Sequence, residues 1–260
     1  MTEPEDIYDS PELYDMLSTG VPGDVAYFSK LAKQAKRVLE LATGTGRVTI
    51  PMARAGAKVT GIELRDKMLA AADEHLSAEK PEVRQRVELF QGDMRAFDLG
   101  KTFPLIVIPF RAFQHLIDVR DQRACLECCR DHLTRQGSLV INLFDPNLKI
   151  LASSLAPNAT ASRKVGEVEL KGGERVVAFA TRTSCPEEQW FEEDWVYECF
   201  DKGGRSQWRR SRKFRLRWFG RYEMEHMFEL CGLEVEKLEG GFKGQAYHHG
   251  GEQIWTVRRV

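Results

Sequence analysis

The chain has 260 residues, 42% of them hydrophobic and 10% aromatic, enough apolar material to fill one large domain or two small ones and too much for a disordered tail. Thirty-eight basic residues against thirty-nine acidic ones leave a formal charge of −1, so no global field draws the protein to nucleic acid or an anionic membrane. The longest apolar stretches, such as Leu105 to Phe110, fall far short of the roughly 18 residues of a spanning helix.

The N-terminus, Met1-Thr2-Glu3-Pro4-Glu5-Asp6, is acidic where an export presequence is basic, so a cytoplasmic location is expected. Between Arg37 and Phe144 short β-branched runs alternate with helical stretches. The strands fall near 37–41, 58–62, 87–90, 105–108 and 138–143, with helices near 48–55, 66–78 and 118–133. Such alternation predicts a Rossmann-like α/β fold: a seven-stranded, mostly parallel sheet with helices on both faces, completed by the last two strands of the chain.

Six cysteines are sparse for this length and read as reduced thiols. Cys125, Cys128 and Cys129 stand at i, i+3 and i+4 on the predicted helix and are expected in its buried face, since thiols pack as small apolar groups. A structural zinc site wants four convergent ligands, and His132 reaches such a set only by strain, so no metal is expected.

After Pro146 the texture changes to four alternating segments, near 164–170, 175–183, 190–200 and 207–219, separated by Gly172-Gly173, Cys185-Pro186 and Gly203-Gly204. They predict an antiparallel meander inserted before the last helix. The expected division is therefore 1–150 as a core with an N-terminal lid segment, 151–220 as a β insertion, and 221–260 as the end of the core.

The meander carries eight basic residues from Arg205 to Arg221, which alone suggest an RNA-binding strip. Its preceding segment carries seven acids: Glu187, Glu188, Glu192, Glu193, Asp194, Glu198 and Asp201. Adjacent antiparallel strands of opposite charge neutralise each other across the ladder. The alternating apolar residues, Phe191, Trp195, Tyr197 and Cys199 with Phe214, Leu216 and Trp218, require a cover, either the mouth of the main sheet or a second subunit. His248-His249, with glycine flanks, reads as a mobile loop.

The sharpest local signal is Val38-Leu39-Glu40-Leu41-Ala42-Thr43-Gly44-Thr45-Gly46-Arg47-Val48, a strand, a small-residue loop and a helix start. Glycines permit positive φ and close backbone approach, and the helix N-terminus offers free N–H groups. A dinucleotide fingerprint needs a third glycine where Thr49 stands, and Glu40 would repel a pyrophosphate, which argues against a nicotinamide oxidoreductase. The acid suits a cationic ligand.

Acid-x-Ala/Gly-x-Gly-x-Gly resembles motif I of the class I S-adenosyl-L-methionine (SAM)-dependent methyltransferases, and more specifically their bacterial small-molecule type. Gly61-Ile62-Glu63-Leu64 with Met68, Gly92-Asp93-Met94, and the run from Phe103 through Pro109-Phe110-Arg111-Ala112-Phe113-Gln114-His115-Leu116 match later motifs in order. Arg135-Gln136-Gly137-Ser138-Leu139-Val140 and Phe219-Gly220-Arg221-Tyr222-Glu223-Met224 extend the resemblance, which runs from Tyr27-Phe28 to Gly240-Gly241-Phe242. Two departures stand out: Ala42 replaces the first loop glycine, and Arg111 stands where relatives carry a small polar residue.

The resemblance implies SAM as cofactor, with S-adenosyl-L-homocysteine as product, and transfer to an N or O atom of a small molecule. It implies Glu40, Ala42, Thr43, Gly44 and Gly46 around the methionine part, Glu63 on the ribose hydroxyls, Asp93 on the adenine amine, and Met94, Leu64, Met68 and Pro109 beside them. Of the aromatic residues ahead of the first strand, Tyr14 is the expected lid contact. His115 is the candidate base or orienting group, because its ordinary pKa of about 6.5 suits proton removal near neutrality. Arg111, Phe113 and Arg217 join it as acceptor-binding candidates, the arginines for a carboxylate or phosphate. Two rival readings are an RNA methyltransferase using the basic strand and a non-catalytic SAM-binding protein.

Overall fold

A computed structural model describes residues 5–154 and 162–260; Met1 to Pro4, part of the acidic N-terminus, lie outside them. Two compact units result: Met1–Thr19 with Leu148–Arg217, and Gly20–Asn147 with Trp218–Val260.

In chain order the smaller unit supplies β1 (Glu5–Asp6) and α1 (Pro11–Leu17). The larger unit follows with α2 (Asp24–Ala35), β2 (Arg37–Leu41), α3 (Thr49–Arg54), β3 (Lys58–Glu63), α4 (Asp66–Ser77), α5 (Pro81–Arg84), β4 (Val87–Gln91), β5 (Phe103–Ile108), a 3-10 turn (Ala112–His115), α6 (Val119–His132) and β6 (Leu133–Phe144). The smaller unit resumes with α7 (Leu148–Ser154), β7 (Arg163–Glu169), β8 (Arg175–Cys185), β9 (Trp190–Phe200) and β10 (Ser206–Arg217). The larger one ends with α8 (Arg221–Leu230), β11 (Leu233–Glu239) and β12 (Glu252–Arg259).

The larger unit is the expected mixed sheet, in the order β11-β12-β6-β5-β2-β3-β4. Pairings from β6 to β4 are parallel, and β12 enters antiparallel between β6 and β11. Alternate residues feed opposite faces. Val38, Val107 and Val140 pack under α2 and α3, with Phe28, Ala32, Met52 and Ala53. Leu39, Ile106 and Ile141 pack under α6 and α8, with Cys125, Leu126, Cys129, Met224 and Phe228. Because β2, β3, β5 and β6 run parallel, their carboxyl ends lie along one edge, where a ligand crevice belongs.

The cysteine face of α6 is core, as expected: Cys125 and Cys129 are buried, and the Cys128 thiol donates to the Phe97 carbonyl at 3.1 Å. His132 contacts the Cys128 carbonyl at 2.8 Å through Nδ1 and accepts the Leu99 N–H at Nε2 over 3.2 Å, a structural rather than a ligating pattern. Among the described residues no cluster of metal-binding side chains occurs.

The smaller unit is a five-stranded sheet, β1-β10-β9-β8-β7. Here the expected division at 150 needs correction, because residues up to Thr19 group with the meander: β1 pairs in parallel with β10, Glu5 opposite Arg212 and Asp6 opposite Lys213. Leu13, Met16 and Leu17, spaced i, i+3 and i+4 on α1, pack with Val176, Ala178, Tyr197 and Cys199. That helix is the cover the apolar face required.

The charges pair as expected across the ladder, with Lys213 and Arg215 both within 3.3 Å of Glu192. Glu193 is an exception to its neighbours. It shares the parity of Phe191 and Trp195, and so sits 3% exposed on the covered side. There it accepts from Arg182 at 2.9 Å and Trp195 Nε1 at 2.6 Å, and from Arg163. Burial works to raise its pKa, but the Arg182 and Arg163 guanidiniums hold it below the ordinary value.

Candidate active site

The loop after β2 turns on three residues at positive φ: Ala42 (57°), Gly44 (61°) and Gly46 (85°). Glycine adopts this conformation without strain, whereas alanine at position 42 holds it at a cost. Thr43 braces the turn, its N–H and hydroxyl both donating to the Ile62 carbonyl, at 3.1 and 3.2 Å. Gly61 makes that approach possible, because a Cβ there would meet Thr43 Oγ1 at 2.6 Å.

Two carboxylates converge on this loop. Glu63, at the end of β3 and 6% exposed, accepts the Gly44 N–H at 2.8 Å and the Arg65 N–H at 2.9 Å. Burial nevertheless pushes its pKa up. Glu40, next to last in β2 and 1% exposed, takes the Thr49 hydroxyl; burial raises its pKa to about 8, against the lowering effects of Thr49 and Arg47. An incoming cation would favour the ionised form of both acids. Small residues at positive φ and acids at or just beyond the ends of β2, β3 and β4 (Glu40, Glu63 and Asp93) match a ligand with an ammonium, a sulfonium and ribose hydroxyls, and disfavour a pyrophosphate. The residues present therefore fit SAM.

Around the remaining cofactor candidates the structure is more specific than the motifs. Asp93 is engaged by Arg95 through its N–H at 2.9 Å and its guanidinium at 2.5–3.0 Å, which holds the carboxyl below the usual carboxylate range. An adenine amine would share that carboxylate with Arg95. Leu64, 51% exposed beside Glu63, is available to cover a base. Met68 is buried under the loop, where a Cβ on Gly44 would meet its Cε at 3.7 Å; it supports the loop from below. Met94 packs partly against the core, and Pro109 is buried after β5.

The acceptor-side candidates divide. Phe110 and Arg111 both take positive φ, 49° and 67°, a strained pair for residues with side chains, of the kind that gathers at functional sites. Arg47 holds the first, stacked 4.8 Å over the Phe110 ring while its guanidinium binds Asp24 at 2.7 and 3.1 Å. Arg111 is not poised for a substrate anion, contrary to expectation: its Nη2 lies 2.5 Å from Glu252, and its guanidinium lies 5.3 Å over the Phe144 ring. The Glu252 carboxylate also takes the Asn142 amide at 2.7 Å. Phe113, likewise expected at the acceptor, is fully buried, 5.6 Å from Phe219.

His115 closes the 3-10 turn, half-buried, and the turn is pinned to the end of β6 where Gln114 Oε1 accepts the Phe144 N–H at 3.0 Å. Tyr14 and Arg217 belong to the smaller unit. Tyr14 stacks 5.6 Å from Tyr8, and Arg217 donates to Gln189 at 3.2 Å.

Motif reading missed the residue that ends β6. Asp145, 5% exposed, accepts from Tyr247 at 2.6 Å, Gln253 at 2.7 Å and the Gly250 N–H at 2.8 Å, with His249 Nδ1 at 3.1 Å. The one available signal was an acid directly after a predicted parallel strand, at the same edge as Glu63. Its partners lie a hundred residues downstream and leave no local pattern.

A methyltransferase-domain family model matches residues 38–137, the span from β2 into β6. The dTDP-3-amino-3,6-dideoxy-alpha-D-glucopyranose N,N-dimethyltransferase of Streptomyces fradiae is 27% identical over 247 residues, covering 92% of this chain and 89% of that protein. Among solved structures, the CcbJ methyltransferase from Streptomyces caelestis superposes with a TM-score of 0.78 at 24% identity, over 98% of this chain and 97% of the other. A SAM-bound amino pentose methyltransferase from Micromonospora echinaspora gives 0.71 at 23% identity, over 100% and 99%. With the loop, the acids and the strand order in place, residues 38–137 form a methyltransferase domain, and the chain has the fold of SAM-dependent methyltransferases over nearly its whole length.

Proposed function

We propose that this enzyme methylates an amine nitrogen of a small molecule, with an amino sugar carried on a nucleotide as the substrate class. The observation that carries this reading is the extent of the likeness to the Streptomyces fradiae enzyme: it spans 92% of this chain, so it takes in the smaller β unit as well as the cofactor-binding core. Bound in the site, SAM would supply an already activated methyl group. The chain's own task is to bind, orient and deprotonate the acceptor, and placement alone provides much of the acceleration.

In this reading Glu63 and Asp93 take the ribose and adenine, and Glu40 and the glycine loop face the methionine part. His115 borders the acceptor at the end of β5. RNA is disfavoured, since the basic strand spends its charge on Glu192 and its neighbours. A cytoplasmic location belongs to the same proposal, in keeping with six free thiols.

The test is incubation with SAM and dTDP-3-amino-3,6-dideoxy-glucose, read by mass spectrometry beside a panel of phenols and carboxylic acids. A gain of one or two methyl groups on the amine supports the reading. Methylation confined to the phenols or acids overturns it.

A further inference from the structure

A residue with a side chain at positive φ, and a buried polar atom without a partner, each cost free energy and persist only where the surrounding structure over-determines them. Several such costs gather at the end of β5. Phe110 and Arg111 are consecutive at φ of 49° and 67°. Arg111 Nε and Asn142 Oδ1 are buried with no hydrogen-bond partner among the described residues.

A closed ring of contacts holds these residues in place. The Arg111 N–H donates to the Asn142 carbonyl at 3.1 Å, Arg111 Nη2 donates to Glu252 Oε1 at 2.5 Å, and Glu252 Oε2 accepts the Asn142 amide at 2.7 Å. Asn142 is fully buried and the Glu252 side chain is 13% exposed, so water competes weakly for either. Glu252 is the member whose carboxylate joins the other two. It opens β12, 141 residues downstream of Arg111.

The other side of the turn meets the cofactor loop. Val107 of β5 pairs with Glu40 of β2 and with Val140 of β6, so these three share one face of the sheet, and Asn142, two residues beyond Val140, lies on that face as well. Arg47, which follows Gly46, stacks 4.8 Å over the Phe110 ring. Its guanidinium is fixed in turn by Asp24, itself 3% exposed. The strained turn therefore stands between two holders, Arg47 on the glycine-loop side and Glu252 on the side of β6 and β12.

We propose that Glu252 is a positioning residue for the cofactor site. Through Arg111 and Asn142 it keeps the Phe110–Arg111 turn at positive φ, which holds Phe110 under Arg47 beside the glycine loop before SAM arrives. Without that hold the turn relaxes toward ordinary φ and must be re-formed on binding, so the apparent affinity falls with the fraction of molecules that keep it. The role concerns the cofactor side and does not depend on which acceptor is methylated.

Calorimetry with S-adenosyl-L-homocysteine tests it. Glu252→Ala should weaken binding about tenfold, the result when roughly a tenth of the molecules keep the turn. Adding Arg111→Gly should return the affinity to within about threefold of wild type, because glycine takes this φ without strain and the turn then needs no holder. Asp145→Ala controls for general loosening of the strand end, since Asp145 is held by Tyr247, Gln253 and Gly250 instead, and should bind as the wild type does. Where Glu252→Ala does not fold, Glu252→Gln keeps the size and the bond to Asn142 and should show a loss of about threefold, again relieved by Arg111→Gly. Wild-type affinity in the folded Glu252 variant, a loss that Arg111→Gly leaves in place, or an equal loss in folded Asp145→Ala overturns the positioning role. Wild-type protein that does not bind S-adenosyl-L-homocysteine overturns the cofactor assignment and this role together.

Discussion

The glycine loop and the end of β6 both gather buried carboxylates at one edge of the same sheet, yet they satisfy them differently. Glu40 and Glu63 are held by a hydroxyl and by backbone N–H groups, and burial drives the pKa of each upward. Asp145 and Glu252 are held mainly by side chains, a phenol, two amides, an imidazole and a guanidinium, joined by the Gly250 N–H. The first pair is poised to ionise when a cationic ligand arrives. The second spends its charge on fixing protein groups, and so sets where Arg111, Tyr247 and His249 stand.

That contrast can be broken most forcefully at Glu40. Its pKa of about 8 in the fold, against 4.5 for an ordinary carboxylate, means the native state keeps a proton that the unfolded chain has released. Stability from this group is fully present below pH 4.5 and is lost as pH rises through 8, by on the order of 5 kcal/mol in all. Urea titrations of the cofactor-free protein across that window should show the decline, and Glu40→Gln should flatten it. An unchanged slope in the variant would place the proton elsewhere.

Next in size is Asp145→Ala, which strands a phenol, an amide and a backbone N–H and should cost about 2–4 kcal/mol in denaturant unfolding. If the end of β6 is a scaffold, SAM affinity measured by calorimetry should stay near the wild-type value in the refolded variant. A large loss of affinity would merge the two regions into one site.

Glu63→Ala probes the donor side with the opposite signature. Losing charge-assisted hydrogen bonds to the ribose should weaken SAM binding by roughly 1–3 kcal/mol, or about 5- to 150-fold. Unchanged affinity would show that Glu63 serves only to brace Gly44 and Arg65.

The smallest expected effect belongs to Ala42→Gly. At φ of 57° the alanine is strained, and relief should exceed the added freedom of the unfolded chain, stabilising the protein by about 0.5–1 kcal/mol. A loss of stability would mean that the Ala42 methyl makes packing worth more than the strain.

The β insertion shows where sequence reading stopped. Its strands and charge pairing followed from period-2 alternation, which acts between near neighbours. Its cover did not, because α1 precedes β7 by nearly 150 residues and nothing local ties Leu13 to Tyr197. Glu193 belongs by charge with its acidic neighbours and by parity with Phe191 and Trp195, and parity decides which face it takes.

By itself the amino-acid sequence determined the layered mixed sheet and the donor loop. Both are written in contiguous residues, where hydrophobic period, glycine placement and an acid at each strand end act over a few positions. Only the tertiary structure decided that Phe113 belongs to the core, that Arg111 is bound by Glu252, and that His249 stands on Asp145. Each of those depends on which distant side chain reaches a buried charge first, and a buried carboxylate takes whatever donor the fold delivers because leaving it unpaired costs more than any local preference.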